Sequence, residues 1–202
     1  MKQGLTIIDN FYDDDSIRDI ALSCEYYPEK VSKGYPNGNA PWPGKMSKEA
    51  HSPNWIDAFI SKLLQKNLRQ MRQMDSGHFR ISHATNEKGM FDNMIHADGY
   101  NTDYYAGVVY LSKGQESTPG TIFYNQNSTG LDHLIDEDHL NKMVLNREDK
   151  DVNQWTVHSM STVVYNRLII YPANKFHGIG QCFGTTDDTA RIVQLFNWID
   201  IK

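Results

Sequence analysis

From Gly77 onward the chain changes from residues at helical spacing to a series of short apolar or alternating runs. These runs cover residues 78–84, 104–111, 120–124, 162–171, 176–182 and 190–199. They are rich in Val, Ile, Tyr, Phe and Thr, and Gly, Pro, Asn or Asp fill the gaps, as is typical of strands joined by turns. Many short strands in succession favour a β-sandwich or a barrel, in which each strand buries one apolar face.

Two helices are predicted before this point. Asp15 is expected to cap the first, which places four residues on one face: Ile17, Ile20, Ala21 and Cys24. Ser52 and Pro53 are expected to open the second as cap and first-turn proline. Apolar residues at a period near 3.6 then predict its buried face: Trp55, Ile56, Phe59, Ile60, Leu63, Leu64, Met71 and Met74. The fold class predicted is α+β, mainly β, flanked by two N-terminal helices.

Two segments interrupt this pattern. Residues 28–47 are rich in proline and glycine and are expected to form an irregular loop. Residues 125–156 are polar, with a short helix expected near residues 136–146, and are interpreted as a long insertion between two core strands. A chain of 202 residues is expected to form one domain, residues 1–202.

Composition excludes several classes of protein. The net charge is -5 and the basic residues are scattered, which argues against binding to duplex nucleic acid. No apolar run approaches the roughly 20 residues of a membrane helix, and the N-terminus lacks a signal-peptide pattern, so we expect a cytoplasmic protein. The only cysteines are Cys24 and Cys182, which favours two buried thiols over a thiolate zinc site, although a single disulfide stays open.

The triplet His96-Ala97-Asp98 is the first candidate for chemistry. On a strand, residues i and i+2 point to the same side, so the imidazole and the carboxylate converge. Taken alone, such a triplet arises readily by chance. His177 supplies a third ligand, because it follows a predicted strand and a polar turn and precedes Gly178. Two histidines and one carboxylate suit Fe(II) and O2 chemistry, while zinc stays an alternative.

The chain resembles the Fe(II)/2-oxoglutarate-dependent oxygenases, and most closely the prolyl-4-hydroxylase-like branch. Five motifs occur in that family's order: His96-Ala97-Asp98, residues 105–112, residues 119–123, residues 166–177 and Arg191. Residues 6–11, followed by a helix, resemble the opening strand of that branch. The resemblance omits residues 28–50 and 125–156. It implies a double-stranded β-helix, or jelly roll, that binds Fe(II) through His96, Asp98 and His177.

The resemblance also implies how 2-oxoglutarate is held. Arg191 would clasp its far carboxylate, since a planar guanidinium matches a carboxylate bidentately, and the Tyr110 hydroxyl would bind the same group. By alternation from Arg191, Asn197 is expected to line the pocket near the metal. Thr121 is a weaker candidate, and Tyr124 is another.

The implied reaction consumes O2 and 2-oxoglutarate, releases succinate and CO2, and hydroxylates a C–H bond. The substrate is expected to be a peptidyl residue such as proline, or a free amino acid or other small metabolite. Tyr100, Tyr104 and Trp155 are candidates for a substrate rim. No second arginine follows Arg191 closely, unlike the nucleic-acid-demethylating branch.

Two other readings stay open. One is a cupin-like metal enzyme without 2-oxoglutarate, although cupins bring a His-x-His pair that this chain lacks and have no need of Arg191. The other is a non-enzymatic jelly-roll binding module, which gives no reason for two histidines and an aspartate to converge.

Overall fold

Two antiparallel sheets form the framework of the protein. The computed structural model describes residues 4–32, 36–38, 40, 42–71, 75–86 and 95–202. The large sheet contains seven strands: β1 (Thr6–Ile8), β2 (Lys45–Met46), β3 (Leu68–Gln70), β4 (Phe79–Ser82), β5 (Tyr104–Tyr110), β8 (Arg167–Pro172) and β10 (Arg191–Asp200). The small sheet contains three: β6 (Pro119–Gln126), β7 (Trp155–Thr162) and β9 (His177–Ile179). Within the described residues the strand orders are β1-β8-β5-β10-β4-β2, with β3 also pairing β10, and β7-β6-β9.

The two N-terminal helices cover one face of the large sheet. Helix α1 spans Ser16–Ser23 and helix α2 spans Ile56–Leu64. Their buried residues Ile17, Ala21, Ile56 and Ile60 pack in one cluster with apolar side chains of β4, β8 and β10. Each fully buried isoleucine contributes about 1.5–3 kcal/mol through the apolar area it removes from water. The helices therefore cover one face of the large sheet and leave its other face free to pack towards the small sheet.

The opposite face of the large sheet looks towards the small sheet. Because side chains alternate along a strand, Ala106, Val108 and Tyr110 of β5 share a face, and Val193 of β10 joins them. Phe123 of β6 packs in the same cluster. The space between the two sheets is therefore lined by alternate residues of both.

A third helix lies in the segment between β6 and β7. Helix α3 spans Glu137–Leu145, as expected near residues 136–146, and two 3-10 turns at Glu148–Lys150 and Val152–Gln154 follow it. Another 3-10 turn lies at Ala84–Asn86. The buried side chains of this region form their own cluster, which includes Leu134, Met143 and Trp155. No helix among the described residues is long and apolar enough to cross a bilayer.

The mainly β architecture with helices at the front agrees with the sequence prediction, but several details differ. Helix α2 ends at Leu64 because Gln65 adopts a left-handed conformation (φ 53°). Residues 68–70 then form β3, so the helical spacing that continues to Met71 does not mark a helix, and Met74 lies outside the described residues. Strand β2 lies in the segment expected to be a loop. Strand β7 begins at Trp155 within the expected insertion and covers residues 157–161, to which no strand was assigned. The run 162–171 contains the end of β7, a turn in which Asn166 has φ 58°, and most of β8.

Asp15 stands at the start of α1 but does not cap it. Its carboxylate accepts hydrogen bonds from Lys113 Nζ (2.5 Å) and from the Tyr165 hydroxyl (2.5 Å). The backbone N–H of Ser16 instead donates to Asp14 Oδ1 at 2.8 Å. Asp15 therefore ties the helix to two distant segments, which local sequence patterns do not reveal.

The two cysteines are not joined by a disulfide. Cys182 is buried, as expected, while Cys24 is partly exposed. Burial raises the pKa of the Cys24 thiol.

Candidate metal centre

His177 begins β9 and is held rigidly. It pairs with Phe123 of β6, and its ring Nδ1 lies 2.9 Å from the carbonyl oxygen of Lys175. Since a carbonyl only accepts, Nδ1 carries the proton and Nε2 presents its lone pair. Burial, and next the charge of His96, lower the pKa of His177 to about 4, against the opposing effect of Asp98. A neutral imidazole with a fixed tautomer is the form that binds a metal.

His96 lies beside His177 through backbone pairing. The two residues exchange hydrogen bonds, His96 N–H to His177 O at 2.9 Å and His177 N–H to His96 O at 2.8 Å. His96 forms an isolated antiparallel bridge and Asp98 lies in a bend, rather than both belonging to the regular strand that was expected. The Trp42 ring packs on the His96 ring, with centroids 4.6 Å apart. The backbone bridge, rather than the alternation of side chains along a strand, therefore positions the His96 imidazole beside that of His177.

Asp98 completes a group of three donors. Its backbone N–H donates to Ala173 O at 2.8 Å, which holds the residue against the turn after β8. Asp98 Oδ1 lies 3.4 Å from His96 Nε2, and Oδ2 lies 3.7 Å from His177 Nε2. Burial acts to raise the pKa of Asp98, but the two histidines outweigh it and the net pKa is lowered. The carboxylate is therefore held in its charged form.

The spacing of these donors fits one metal ion. One donor atom from each of the three residues lies within 4.8 Å of the others. Metal–ligand bonds of about 2.0–2.2 Å place neighbouring donors roughly 3–3.5 Å apart. Two imidazoles and one carboxylate on one side of a metal leave positions open towards the cavity, a geometry found in non-haem Fe(II) oxygenases.

The triad lies at the wall of a cavity of about 500 Å³ between the sheets. Ala106, Val108, Val193 and Leu195 form apolar parts of this wall. The other lining residues come from widely separated parts of the chain: Trp42, Asp75, Arg80, Gly107, Thr121, Tyr171, Gly178, Ile179, Arg191, Phe196 and Asn197. The volume suits a small ligand rather than a macromolecule.

Arg191 brings a buried positive charge to the cavity. The residue is 3% exposed, and its Nη2 donates to Gly120 O at 3.3 Å. Its Nε is buried with no hydrogen-bond partner among the described residues. The guanidinium carbon lies 5.9 Å from the centre of the Tyr110 ring. A buried cation without a carboxylate partner is unfavourable by itself, so the position suits an anionic ligand.

Tyr110 and Thr121 lie beside this arginine. The Tyr110 hydroxyl and Thr121 Oγ1 are 2.8 Å apart, and Thr121 faces the cavity. Burial raises the pKa of Tyr110, so the phenol stays protonated and can donate. Gly120 is needed here because a Cβ at this position would lie 2.7 Å from the Tyr110 hydroxyl.

The remaining candidates from the sequence separate into two groups. Asn197 lines the cavity, as alternation from Arg191 indicated. Tyr100 and Tyr104 do not line it, and Tyr100 is 47% exposed. Trp155 is a core residue whose Nε1 donates to Glu148 O at 2.7 Å. The structure thus gives no cavity contact to the three residues expected at a substrate rim.

Residues that line the cavity without having been anticipated include Trp42, Asp75 and Arg80. Trp42 belongs to the segment interpreted as an irregular loop. Arg80 is the one basic residue in the apolar run Phe79-Arg80-Ile81, and a charge at a strand's inward position is a signal for a ligand. Asp75 lies in a turn, where an aspartate carries no such signal.

Solved structures with a similar fold include HygX from Streptomyces hygroscopicus. HygX with nickel and 2-oxoglutarate bound matches with a TM-score of 0.54 and 14% sequence identity over 98% of this chain and 83% of that chain. HygX with nickel, 2-oxoglutarate and hygromycin B bound gives a TM-score of 0.53 at the same identity and coverage. A prolyl-4-hydroxylase from Pseudomonas putida reaches only 0.45 at 13% identity, over 99% of this chain and 94% of that chain. The shared fold is therefore shown, and the branch within it is not.

Sequence comparison places the chain in a family without giving it an activity. Comparison with curated proteins gives no significant match. The model of the family of unknown function DUF6445 matches residues 1–188. Because this match spans most of the 202 residues, the chain belongs to the DUF6445 family.

Proposed function

We propose that this protein is an Fe(II)- and 2-oxoglutarate-dependent oxygenase that hydroxylates a C–H bond of a small molecule or a peptide. One observation carries the proposal: two histidines and an aspartate converge on a cavity that also contains a buried, incompletely paired arginine. A metal site alone fits many enzymes. A metal site and an anion site in one cavity fit a dicarboxylate that chelates the metal at one end.

The donor set fits Fe(II). His177 Nε2, His96 Nε2 and one oxygen of Asp98 would hold the ion, and the Lys175 carbonyl would keep the His177 ring in the required tautomer. The single carboxylate offsets part of the ion's charge. Divalent zinc binds similar donors, and the choice of iron rests on the second site, because a metal and an anion site in one small cavity suit a dicarboxylate cosubstrate.

The opposite site fits the far carboxylate of 2-oxoglutarate. The guanidinium of Arg191 offers a planar set of donors, and the hydroxyls of Thr121 and Tyr110 lie beside it. A bound carboxylate would relieve the burial of an unpaired cation. The arrangement therefore selects an anion of limited length, with the 2-oxo acid end directed towards the histidines.

When bound, iron with 2-oxoglutarate and O2 supplies the oxidation of a C–H bond, with release of succinate and CO2. The chain's own residues hold the reactants and exclude water. Ala106, Val108 and Val193 give the cavity an apolar wall, which strengthens the interaction of Arg191 with an anion. Trp42 packs on the His96 ring and limits its movement.

Finer features belong to the same proposal. We propose that β4, β10, β5 and β8 form one half of a double-stranded β-helix and that β7, β6 and β9 form the other. Residues 1–202 would be a single oxygenase domain, with 125–156 inserted between two of its strands. The substrate would be a peptidyl residue, as in the prolyl-4-hydroxylase-like branch, or a free amino acid or other small metabolite.

The test is an anaerobic titration with Fe(II) and 2-oxoglutarate, added singly and together. At about 100 times its dissociation constant a ligand stabilises the folded state by about 2.7 kcal/mol, which corresponds to a rise in melting temperature of roughly 5–11 °C for a chain of this size. We expect 2-oxoglutarate to stabilise the iron-loaded protein more than the metal-free protein, and the pair to give a visible charge-transfer band that neither gives alone.

Glutarate is the matched ligand, because it has both carboxylates but lacks the 2-oxo group. We expect it to stabilise the protein without producing the band. Asp98→Asn should lose iron and the band, while Asp9→Asn, which removes the exposed partner of Arg167, should keep both. Iron binding with no effect of 2-oxoglutarate would indicate a metal enzyme without a cosubstrate. The proposal fails if neither ligand changes the melting temperature or the spectrum.

A further inference from the structure

Arg80 and Asp75 place a second pair of charges in the cavity. Arg80 lies on β4 opposite Val193, so it shares the inward face with Arg191 of the neighbouring strand. It is 4% exposed, and Asp75 is partly buried in the turn that precedes β4. Both side chains line the cavity. The proposed binding of iron and 2-oxoglutarate uses neither of them.

Within the described residues, neither side chain has an ion-pair partner. Arg80 has no ion pair among the described residues, and its contacts are a carbonyl, Pro43 O at 3.4 Å, and a thioether, Met46 Sδ at 3.5 Å. The Asp75 carboxylate has no hydrogen bond or ion pair within the described part of the chain. Burial lowers the pKa of Arg80 to about 10, with the charge of Asp75 opposing this effect and that of Arg191 adding to it. Opposite charges that face one cavity without meeting leave room for a ligand between them.

A structural role does not account for Arg80. The contact with the Pro43 carbonyl is longer than the usual 2.7–3.2 Å of a nitrogen–oxygen hydrogen bond, and a thioether is a weak acceptor. The Pro43 carbonyl already accepts a hydrogen bond from Ser82 Oγ at 3.0 Å, so it does not depend on the arginine. A buried guanidinium that is needed by neither neighbour carries an uncompensated desolvation penalty unless a ligand offsets it.

The charges of the loaded site favour a zwitterion. Iron(II) together with Asp98 and Arg191 carries the positive charge that a 2-oxoglutarate dianion balances. Arg80 and Asp75 are then left as one cation and one anion in an otherwise balanced cavity. An anionic substrate would be attracted by Arg80 but repelled by the Asp75 carboxylate. A cationic substrate would be attracted by Asp75 but repelled by Arg80.

We propose that the oxidised substrate is a free amino acid, with its α-carboxylate bound by Arg80 and its α-ammonium group bound by Asp75. This inference rests on the proposed function, of which it names the substrate class. A guanidinium binds a carboxylate through a planar pair of donors, and an aspartate binds an ammonium group as a point charge. The side chain of the amino acid would then extend along the apolar wall towards the triad. A residue within a peptide lacks both charges and would leave Arg80 and Asp75 unpaired.

The test measures binding of the free proteinogenic L-amino acids by thermal shift, with and without Fe(II) and 2-oxoglutarate. Each amino acid that binds is compared with its α-amide, which lacks the carboxylate, and with its N-acetyl form, which lacks the ammonium group. We expect each change to weaken binding about 10- to 100-fold. Substrate-stimulated succinate release by the loaded protein gives a second readout.

The variants separate the two contacts. Arg80→Met should bind the amino acid and its amide equally, and Asp75→Asn should bind the amino acid and its N-acetyl form equally. Arg80→Lys should recover part of the preference for the acid, which also controls for misfolding of Arg80→Met. Arg167→Met removes a remote cation and should keep both preferences. All of these variants should keep the charge-transfer band with 2-oxoglutarate.

The outcomes distinguish this inference from the proposed function. If the band is absent from the parent protein, the proposed function fails, while amino-acid binding to the metal-free protein is still measured. If the band is present but no amino acid binds, or acid and amide bind equally, the inference is overturned. Loss of the band in Arg80→Met would assign Arg80 to 2-oxoglutarate and would also overturn it.

Discussion

Replacement of Arg191 by methionine should stabilise the metal-free protein while abolishing its response to 2-oxoglutarate. The arginine is 3% exposed, donates one hydrogen bond of 3.3 Å to Gly120 and has a buried Nε without a partner. Methionine has a similar length and adapts to irregular spaces. The substitution therefore removes a buried charge and leaves little empty volume.

The size of the effect follows from three contributions. Desolvation of a buried ion costs several kcal/mol after relaxation. Against this, the hydrogen bond to Gly120 contributes about 1 kcal/mol, and the contact with the Tyr110 ring contributes roughly 1–2 kcal/mol when desolvated. The net gain is about 1–3 kcal/mol. For a chain of 150–250 residues this raises the melting temperature by roughly 2–12 °C.

The assay is chemical and thermal denaturation of the metal-free parent and variant, each with and without saturating 2-oxoglutarate and Fe(II). The matched control is Arg167→Met, because Arg167 forms a bidentate ion pair with Asp9 near the surface. That control should lose no more than about 1 kcal/mol, as exposed ion pairs do. It should keep the full stabilisation by 2-oxoglutarate.

The decisive feature is the sign of the change in the free energy of unfolding of the metal-free protein, which Arg191→Met should raise and Arg167→Met should lower. A metal-free Arg191→Met protein that is less stable than the parent by more than the Arg167→Met control would refute the reasoning, since Arg191 would then be paired structurally. A variant that is stabilised by 2-oxoglutarate as strongly as the parent would refute its role in binding that ligand.

Three further outcomes are expected. Gly120→Ala should lower stability by about 1–3 kcal/mol in urea denaturation, because its Cβ would lie 2.7 Å from the Tyr110 hydroxyl. Asp132→Asn should lose the ion pair with Lys175 at neutral pH. Burial acts to raise the pKa of Asp132, but its contacts with Lys175 and His133 outweigh burial and lower the folded pKa below 3.8. The stabilisation by Asp132 is therefore present above pH 3.8 and is lost as the pH falls through the folded pKa. Denaturation curves of parent and variant should converge only in acid. Trp155→Ala should cost about 3–5 kcal/mol, since this residue is buried in the core, and an unchanged stability with an altered substrate affinity would contradict that placement.

The parts of the fold that the sequence predicted are those in which burial follows local periodicity. Helix α1 has apolar residues at a regular spacing because one of its faces packs on the large sheet, whereas strand β10 is a largely apolar run because both of its faces are covered. Strand β7 has no such pattern, because five consecutive residues between Trp155 and Ser161 are exposed. Its hydrogen bonds to β6 decide its structure, and they are not visible in its composition. Helix α2 ends without a glycine, so its last turn carries no sequence signal.

The part of the candidate metal centre that follows from local alternation along a strand was also predicted from the sequence. His177 and Arg191 occupy the ends of strands, where an inward position follows from alternation. His96 and Asp98 reach the same point, although through a backbone bridge that no local pattern encodes. Asp75 comes from a turn, and its approach to the cavity depends on hydrogen bonds between that turn and β10. Contacts of this kind appear only when distant segments are brought together.

The hydrogen bonds that join the main chains of His96 and His177 have a consequence for how the proposed metal ion would be bound. Because these hydrogen bonds form between backbone groups, folding alone positions the histidine side chains, before any ion binds. Loading then requires little ordering of the chain, and exchange of one ion for another leaves the fold unchanged. Such a preorganised site accepts several divalent ions in the order of their intrinsic affinities. If the proposed site binds metal, the ion found in a preparation would therefore depend on which metals were abundant in the cell or in the purification buffer.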